Sequence, residues 1–347
     1  MAINKGIVGI GESSTPFVPD ENFNTVLYTG SGGSQNIDTV GFQPDFTWIK
    51  QRNDTNPHSI FDSVRGAGKL LSSQTTSAQG GNAGDLLGSF RPLGFQVNRT
   101  YLSSNFDNTN LSGATYVAWS WKAGGAAVSN TDGTVTSQVS ANVDAGFSIV
   151  NYNGSTSGAT VGHGLNSTPE VIIIKCTSNG STNWISYHQP IGDDYYLTLN
   201  SNIAKANFSN WLQPNSTTFA LNQTFGNANT SGRDYIAYAF HSVDGYSKMG
   251  SYDGNNGSNP ITTGFRPAFL MIKRSNTSGS WLILDNKRET SNPRHTYLFP
   301  ASGSAESVVA SNLGYDVDFD DNGFELKSNG GDVNASGSEY IFMAFAE

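Results

Sequence analysis

Apolar positions in this chain fall into short runs set between stretches rich in Gly, Asn, Ser and Thr, and the same succession of runs returns three times. Phe46-x-Trp48-x-Lys50 alternates with a period of two, whereas Val171-Ile-Ile-Ile174 is apolar throughout, the pattern of a strand buried on both faces. Each of these first runs follows a proline, a residue tolerated at a strand's start because no ladder donor is lost there. Each ends on a lysine six residues later: Pro44 to Lys50, Pro169 to Lys175, Pro267 to Lys273. A second run follows at His58-Ser-Ile60-Phe61, Trp184-Ile185-Ser-Tyr187 and Trp281-Leu282-Ile283-Leu284, and a third at Gly94-Phe95, Phe219-Ala-Leu221 and Gly323-Phe324. A closing strand then begins at Tyr116, Tyr235 or Tyr340. Short strands with turn residues at this spacing predict antiparallel β-sandwiches. Helix is nearly absent; the best candidate is residues 201–208.

Two further signatures frame each copy. Tyr28-Thr-Gly30, Tyr152-Asn-Gly154 and Tyr252-Asp-Gly254 open it, and Asn110-x-Ser112-Gly113, Asn229-x-Ser231-Gly232 and Asn334-x-Ser336-Gly337 precede the closing tyrosine. Three heads paired with three tails define one repeated module of roughly 100 residues, large enough to bury a core by itself. The reading is an all-β chain of three tandem antiparallel β-sandwich modules, jelly-roll-like, with an extended N-terminal arm at residues 1–22. Module one takes residues 23–122, a linker 123–146, module two 147–243 and module three 244–347; within the linker Ala123-Gly-Gly-Ala-Ala127 reads as flexible, whereas Gly133-Thr-Val-Thr-Ser-Gln-Val-Ser140 alternates like a strand. The Asn-x-Ser-Gly-x-x-Tyr motif reads as a turn and strand start, since Asn and Ser hold tight turns and Gly supplies positive φ.

Composition narrows the function. Charged residues make up 14%, with a net charge of −9, so a phosphate-neutralising surface is not expected and nucleic acid is a poor partner. No apolar run approaches the ~20 residues of a membrane helix, and no signal peptide is visible at the N-terminus, so no membrane partner is expected and assembly belongs in a cytoplasm. The single cysteine, Cys176, lies in an apolar run and reads as a small hydrophobe.

Catalytic chemistry lacks parts. No His-Glu-x-x-His, Cys-x-x-Cys, phosphate-cradling loop or Gly-x-Ser-x-Gly elbow occurs, and no catalytic residue, metal ligand or cofactor is assigned. Of the five histidines, His58 and His188 fall at comparable places in their modules. Asp62 and Asp285 also match in position, and each precedes an arginine by three residues, Arg65 or Arg288, which reads as a structural salt bridge. Asp316-Val-Asp318-Phe-Asp320-Asp321 superficially resembles a calcium loop but lacks its Gly and bidentate Glu, and reads as an acidic turn before Phe324. Aromatics outside the repeated pattern are the candidates for stacking on glycans: Tyr101, Phe106, Tyr195, Tyr196, Trp211 and Tyr297.

The segments Gly41-Phe-Gln-Pro-Asp-Phe-Thr-Trp-Ile-Lys50, Phe61-Asp-Ser-Val-Arg-Gly66, Gly146-Phe-Ser-Ile-Val-Asn-Tyr-Asn-Gly154 and Tyr235-Ile-Ala-Tyr-Ala-Phe-His241 resemble repeated modules of uncharacterised function in virion and tail-fibre proteins of marine and cyanobacterial tailed phages. The resemblance covers nearly all of residues 23–347. It implies a non-catalytic virion structural protein, first a tail fibre or receptor-binding protein that contacts a host-surface glycan or protein. The alternative is a capsid decoration or head-fibre (knob) protein, and a carbohydrate-active hydrolase ranks third. The arm at 1–22 is expected to attach to other virion proteins. A homotrimer suits phage appendages, while a chain with three modules also suits a threefold site as one copy.

Overall fold

The computed structural model describes residues 17–81, 85–98, 109–222, 225–308 and 314–347. Module one holds β1 (Phe23–Thr29), β2 (Gln35–Ile37), β3 (Phe46–Gln51), β4 (Ser59–Asp62), β5 (Leu87–Arg91), β6 (Gly94–Val97) and β7 (Thr115–Trp121). The following segment supplies β8 (Val128–Asn130) and β9 (Ser137–Asn142). Module two holds β10 (Phe147–Asn153), β11 (Ala159–Gly162), β12 (Val171–Cys176), β13 (Ile185–His188), β14 (Tyr195–Thr198), β15 (Ala206–Asn207), β16 (Leu212–Pro214), β17 (Thr218–Leu221) and β18 (Asp234–Phe240). Module three holds β19 (Ser247–Asp253), β20 (Asn259–Thr262), β21 (Phe269–Arg274), β22 (Trp281–Asp285), β23 (Thr296–Tyr297), β24 (Ser307–Val308), β25 (Val317–Asp320), β26 (Gly323–Leu326) and β27 (Glu339–Phe345).

The all-β expectation holds, and each module is an antiparallel sandwich. An inner sheet, ordered β1-β7-β3-β4 in module one and β19-β27-β21-β22 in module three, faces an outer three-stranded sheet, β2-β6-β5 or β20-β26-β25. Module two repeats this with β10-β18-β12-β13 over β11-β17-β16. Its inner sheet is extended to eight strands, by β9 and β8 beyond β10 and by β14 and β15 beyond β13. The strand expected within 133–140 is present as β9, whereas the stretch 123–127 expected to be flexible is tied to module one. β9 pairs with β10 and β8 with β9, and the Gly-rich start is tied by bonds from Ala123 N and Gly125 N to Asp45 Oδ2 (2.8 and 3.2 Å). The helix expected at 201–208 does not form; Ala206 and Asn207 pair with β14 as strand.

Alternation along the first strands explains why they are buried on both sides. In β12, Ile172 and Ile174 pack inside the module-two sandwich, while Val171 and Ile173 point into a second core. Phe46 and Trp48 of β3 and Phe269 and Met271 of β21 enter that same core. It belongs to all three modules. At its centre Trp121, Phe240 and Phe345, the equivalent residues of the three closing strands, contact one another with ring centroids 5.5–6.5 Å apart. Only a cavity of about 30 Å³ remains among these side chains, so the inner sheets pack at the density of an ordinary protein interior. The expectation that each module buries a core of its own holds, and a fourth core is shared. Each buries its sandwich core alone, but its inner face is covered only by the other two.

The contacts between modules close head to tail. Trp184 Nε1 donates to Ser72 O (2.9 Å), Trp281 Nε1 to Thr198 O (3.0 Å), and His58 Nε2 bonds Phe299 O (3.0 Å). Strand pairing makes these three contacts equivalent, because Ser72, Thr198 and Phe299 each follow the leucine that pairs with the second strand or continues it (Leu71, Leu197, Leu298). Module two therefore leans on one, three on two, and one on three. A heterologous contact repeated until it closes makes a ring, here within a single chain.

The repeated Tyr, Gly and Asn signatures form a clasp inside each module. Tyr28 stacks on Tyr116, Tyr152 on Tyr235 and Tyr252 on Tyr340, with interplanar angles of 13°, 16° and 7°. The first tyrosine of each pair donates to a backbone carbonyl, Thr109 O, Ala228 O or Val333 O, at 2.6–2.8 Å. The second accepts from Leu111 N, Thr230 N or Ala335 N. A Cβ on Gly30, Gly154 or Gly254 would sit 2.1–2.2 Å from a carbonyl oxygen of the tail motif, which explains the glycine in every head.

Candidate functional site

The buried polar groups gather at the three corners between modules. In the pairing of first and second strands, Asp62, His188 and Asp285 occupy one equivalent position, opposite Phe46, Val171 and Phe269. His58 is thus equivalent to Trp184 and Trp281 and not to His188, contrary to the sequence reading. Asp62 Oδ2 binds Arg65 Nε (2.5 Å) and accepts Tyr238 Oη–H from module two (2.7 Å). Asp285 Oδ2 binds Arg288 Nε (2.6 Å) and accepts Trp119 Nε1–H from module one (3.0 Å). The expected salt bridges are present and buried, and each also joins two modules. At the third corner the donor's place is taken by Met343, which has no hydrogen to give, and His188 Nε2 instead meets Phe342 O at 3.1 Å.

These titratable groups are committed to the scaffold. His58 accepts Trp48 Nε1–H at Nδ1 (2.8 Å) while Nε2 faces Phe299 O, which selects the neutral tautomer with its proton on Nε2. Burial, with Lys50 nearby, pushes its pKa down to about 3, and burial pushes that of His188 down to about 4. The three lysines that end the first strands are also buried. Lys50 Nζ donates to Gln51 O and Asp54 O, Lys175 to Thr182 O and, across the interface, to Thr76 O, and Lys273 to Arg274 O. Among the described residues none of the three is paired with a carboxylate, and burial lowers each to about 8. The sequence repeat marked these lysines, but nothing in it indicated burial.

The aromatic candidates divide. Trp211 and Tyr297 are core residues, which corrects their assignment to a glycan surface. Trp211 packs beside Tyr196 and Phe225 and donates Nε1–H to Tyr195 O (2.9 Å), and Tyr297 donates to Tyr315 O. Tyr297 is not outside the repeat either, since strand pairing places it level with Tyr196 and Leu70. Tyr195 and Tyr196 are half-buried; Lys205 Nζ lies 5.3 Å above the Tyr195 ring. Tyr101 and Phe106 lie outside the described residues. Asp316, Asp318 and Asp320 sit on or beside β25, whose hairpin with β26 turns at Asp321 and Asn322. Lys327 engages Asp318 and Arg266 engages Asp321, while His295 lies between Glu289 and Asp316 (3.4 and 3.9 Å). Among the described residues no three His, Cys, Asp or Glu side chains form a metal-binding group.

Open concavities lie where modules meet. One of them, about 940 Å³, is walled by Phe17, Val18, Glu21 and Asn22, by Gln43 and Asp45, by Lys122 and the start of the 123–146 segment, and by the turns at Val143-Asp144 and Val243-Asp244. Two smaller grooves run along free edge strands: about 390 Å³ beside Asn24–Leu27 of β1, and about 180 Å³ beside Ser251–Asp253 of β19. The corresponding edge of module two, β10, is covered by β9. Asp45 of the large cleft escaped notice in the sequence because the other two copies carry Glu170 and Ala268 at its place.

A family model described as a domain of unknown function, DUF7483, matches residues 18–347 in one span across all three modules. No curated protein and no solved structure matches the chain.

Proposed function

The chain belongs to the DUF7483 family, and we propose that it is a non-catalytic structural protein of a phage virion surface, acting first as a tail-fibre or receptor-binding component. The observation that supports a binding and assembly role is the closure of three modules into one rigid ring, in which the buried acids and histidines of the corners hold modules together. Groups so committed are not free to act on a substrate. A phage setting rests on the resemblance of the repeated segments to virion modules. Contact with a host glycan or protein would fall to the outer surface, where Tyr195 and Tyr196 are the remaining aromatic candidates among the described residues.

A specific feature favours the second reading, capsid decoration or a head-fibre knob: one chain already presents three equivalent modules around a common centre, and so matches a threefold site without trimerising. Attachment through the arm is assigned to residues 1–16, because residues 17–22 serve the fold. Phe17 packs edge-on against Tyr246 of module three (5.0 Å), and Asn22 O accepts Lys122 N. Locating the protein in a virion map tests both readings, with density expected at the tail or over a capsid threefold. Absence from purified virions would end both. Release of new reducing ends from host polysaccharide would overturn the non-catalytic assignment. A chain lacking residues 1–16 is expected to fold but not to enter virions.

A further inference from the structure

We propose that the large cleft at the meeting of the three modules is a docking socket for a basic segment of another polypeptide, one carrying Lys or Arg flanked by aliphatic residues. Three features of the cleft point to that chemistry. The first is charge: Glu21, Asp45, Asp144 and Asp244 line it against a single cation, Lys122.

The second is a buried acceptor left over. Asp45 is 2% exposed; its Oδ2 holds Ala123 N and Gly125 N, while Oδ1 has no hydrogen-bond partner. A buried carboxylate oxygen without a donor costs free energy, and a charge-assisted bond from an ammonium or guanidinium would recover it. At the equivalent position of module two, Glu170 meets Ser242 N instead, and module three has Ala268 there. Among the three equivalent positions the unpartnered oxygen occurs only at Asp45, so it is not a property of the repeat. The third is the apolar wall. Phe17, Val18 and Val143, three exposed large hydrophobics (37%, 39% and 41%), line this one concavity. Apolar surface beside a carboxylate suits aliphatic flanks around a cation.

A metal ion fits less well, because the carboxylates do not form a three-ligand group. A polyanion would meet like charge. The volume, about 940 Å³, is at the upper end of the range for small-ligand sites and suits a short extended peptide.

The test uses the full chain and a blocked hexapeptide of alternating Val and Lys, with the Val/Glu hexapeptide as control, in titration calorimetry at low and at physiological salt. Saturable binding of the Val/Lys peptide is expected, weaker at higher salt, with none for the control. Asp45→Asn, which keeps an acceptor for Ala123 N and Gly125 N, should weaken binding at least tenfold. Asp144→Lys with Asp244→Lys, both exposed and outside the packed core, should abolish it with thermal stability unchanged. No saturable binding at millimolar peptide, equal binding of the control, or binding that the Asp144/Asp244 pair leaves untouched would each overturn the proposal. Absence of the protein from virions would not bear on it.

Discussion

The corner where module two meets module one and the corner where module three meets module two occupy the same place in the repeat, yet they are built differently. At the first, Asp62 lies between Arg65 of its own module and the Tyr238 hydroxyl of the next. At the second, a neutral His188 faces the Phe342 carbonyl, with no ion in reach. The third corner, Asp285 with Arg288 and Trp119, follows the ionic design. Ring closure therefore does not require a charge pair. What the three corners share is one hydrogen bond across the interface beside a common aromatic core, and a buried ion pair is an optional way to supply the acceptor. Such a pair stabilises little against a well-packed neutral alternative, but removing one of its partners is costly.

This difference predicts a graded series under truncation. Asp62→Ala strands the buried Arg65 guanidinium, which has no other carboxylate partner among the described residues, and should cost about 3–5 kcal/mol of unfolding free energy in urea titrations. Asp285→Ala should cost less, because Glu306 lies 3.4 Å from Arg288 and takes up part of the charge. His188→Ala leaves one carbonyl without its donor and should cost about 1–3 kcal/mol. Equal losses at all three positions would mean that packing, and not charge, sets the worth of a corner.

Acid should separate the corners by a second route. His58 and His188 have folded pKa values near 3 and 4, below the ordinary 6.5, so between those limits the unfolded chain binds protons that the folded chain does not. Stability is complete above about 6.5 and falls as pH drops toward 4, by on the order of 3 kcal/mol for each histidine at pH 4. Replacing His188 with Gln, which retains a donor, should flatten the decline by roughly the share of one histidine when melting is followed from pH 7 to pH 4. An unchanged slope would show that His188 titrates normally in the fold.

Much of the architecture could be read from the residues. Three modules, the four strands β3, β4, β6 and β7 with their equivalents, the turn of the tail motif and the Asp–Arg pairs at a spacing of three all follow from local pattern, because each is made within one module. Ring closure could not be read in the same way. Trp48 and Ile49 are equally apolar, and nothing local says that Ile49 meets its own outer sheet while Trp48 meets the other modules. The same blindness placed Trp211 and Tyr297 on the surface, since a large aromatic in an irregular stretch looks exposed until its strand partner is known. Asp45 was hidden for a related reason. Its significance lies in one oxygen left unpaired by contacts with residues nearly 80 positions away.

The smallest effects test whether the clasps, unlike the corners, act independently. Tyr28→Phe, Tyr152→Phe and Tyr252→Phe each remove one hydroxyl that donates to a carbonyl within the same module and keep the stacked ring. Each should cost about 1 kcal/mol. The three sites lie in separate sandwich cores, so their effects should add to within roughly 0.5 kcal/mol per pair, the behaviour of sites that share no partners. The combined variant would then lose about 3 kcal/mol in one cooperative transition, because the shared central core still unfolds as a unit. Two separated transitions in the triple variant would show that a weakened module can leave the ring. Costs that fail to add would show that the clasps communicate through the central core, and the distinction between self-contained sandwiches and a collective centre would then have to be given up.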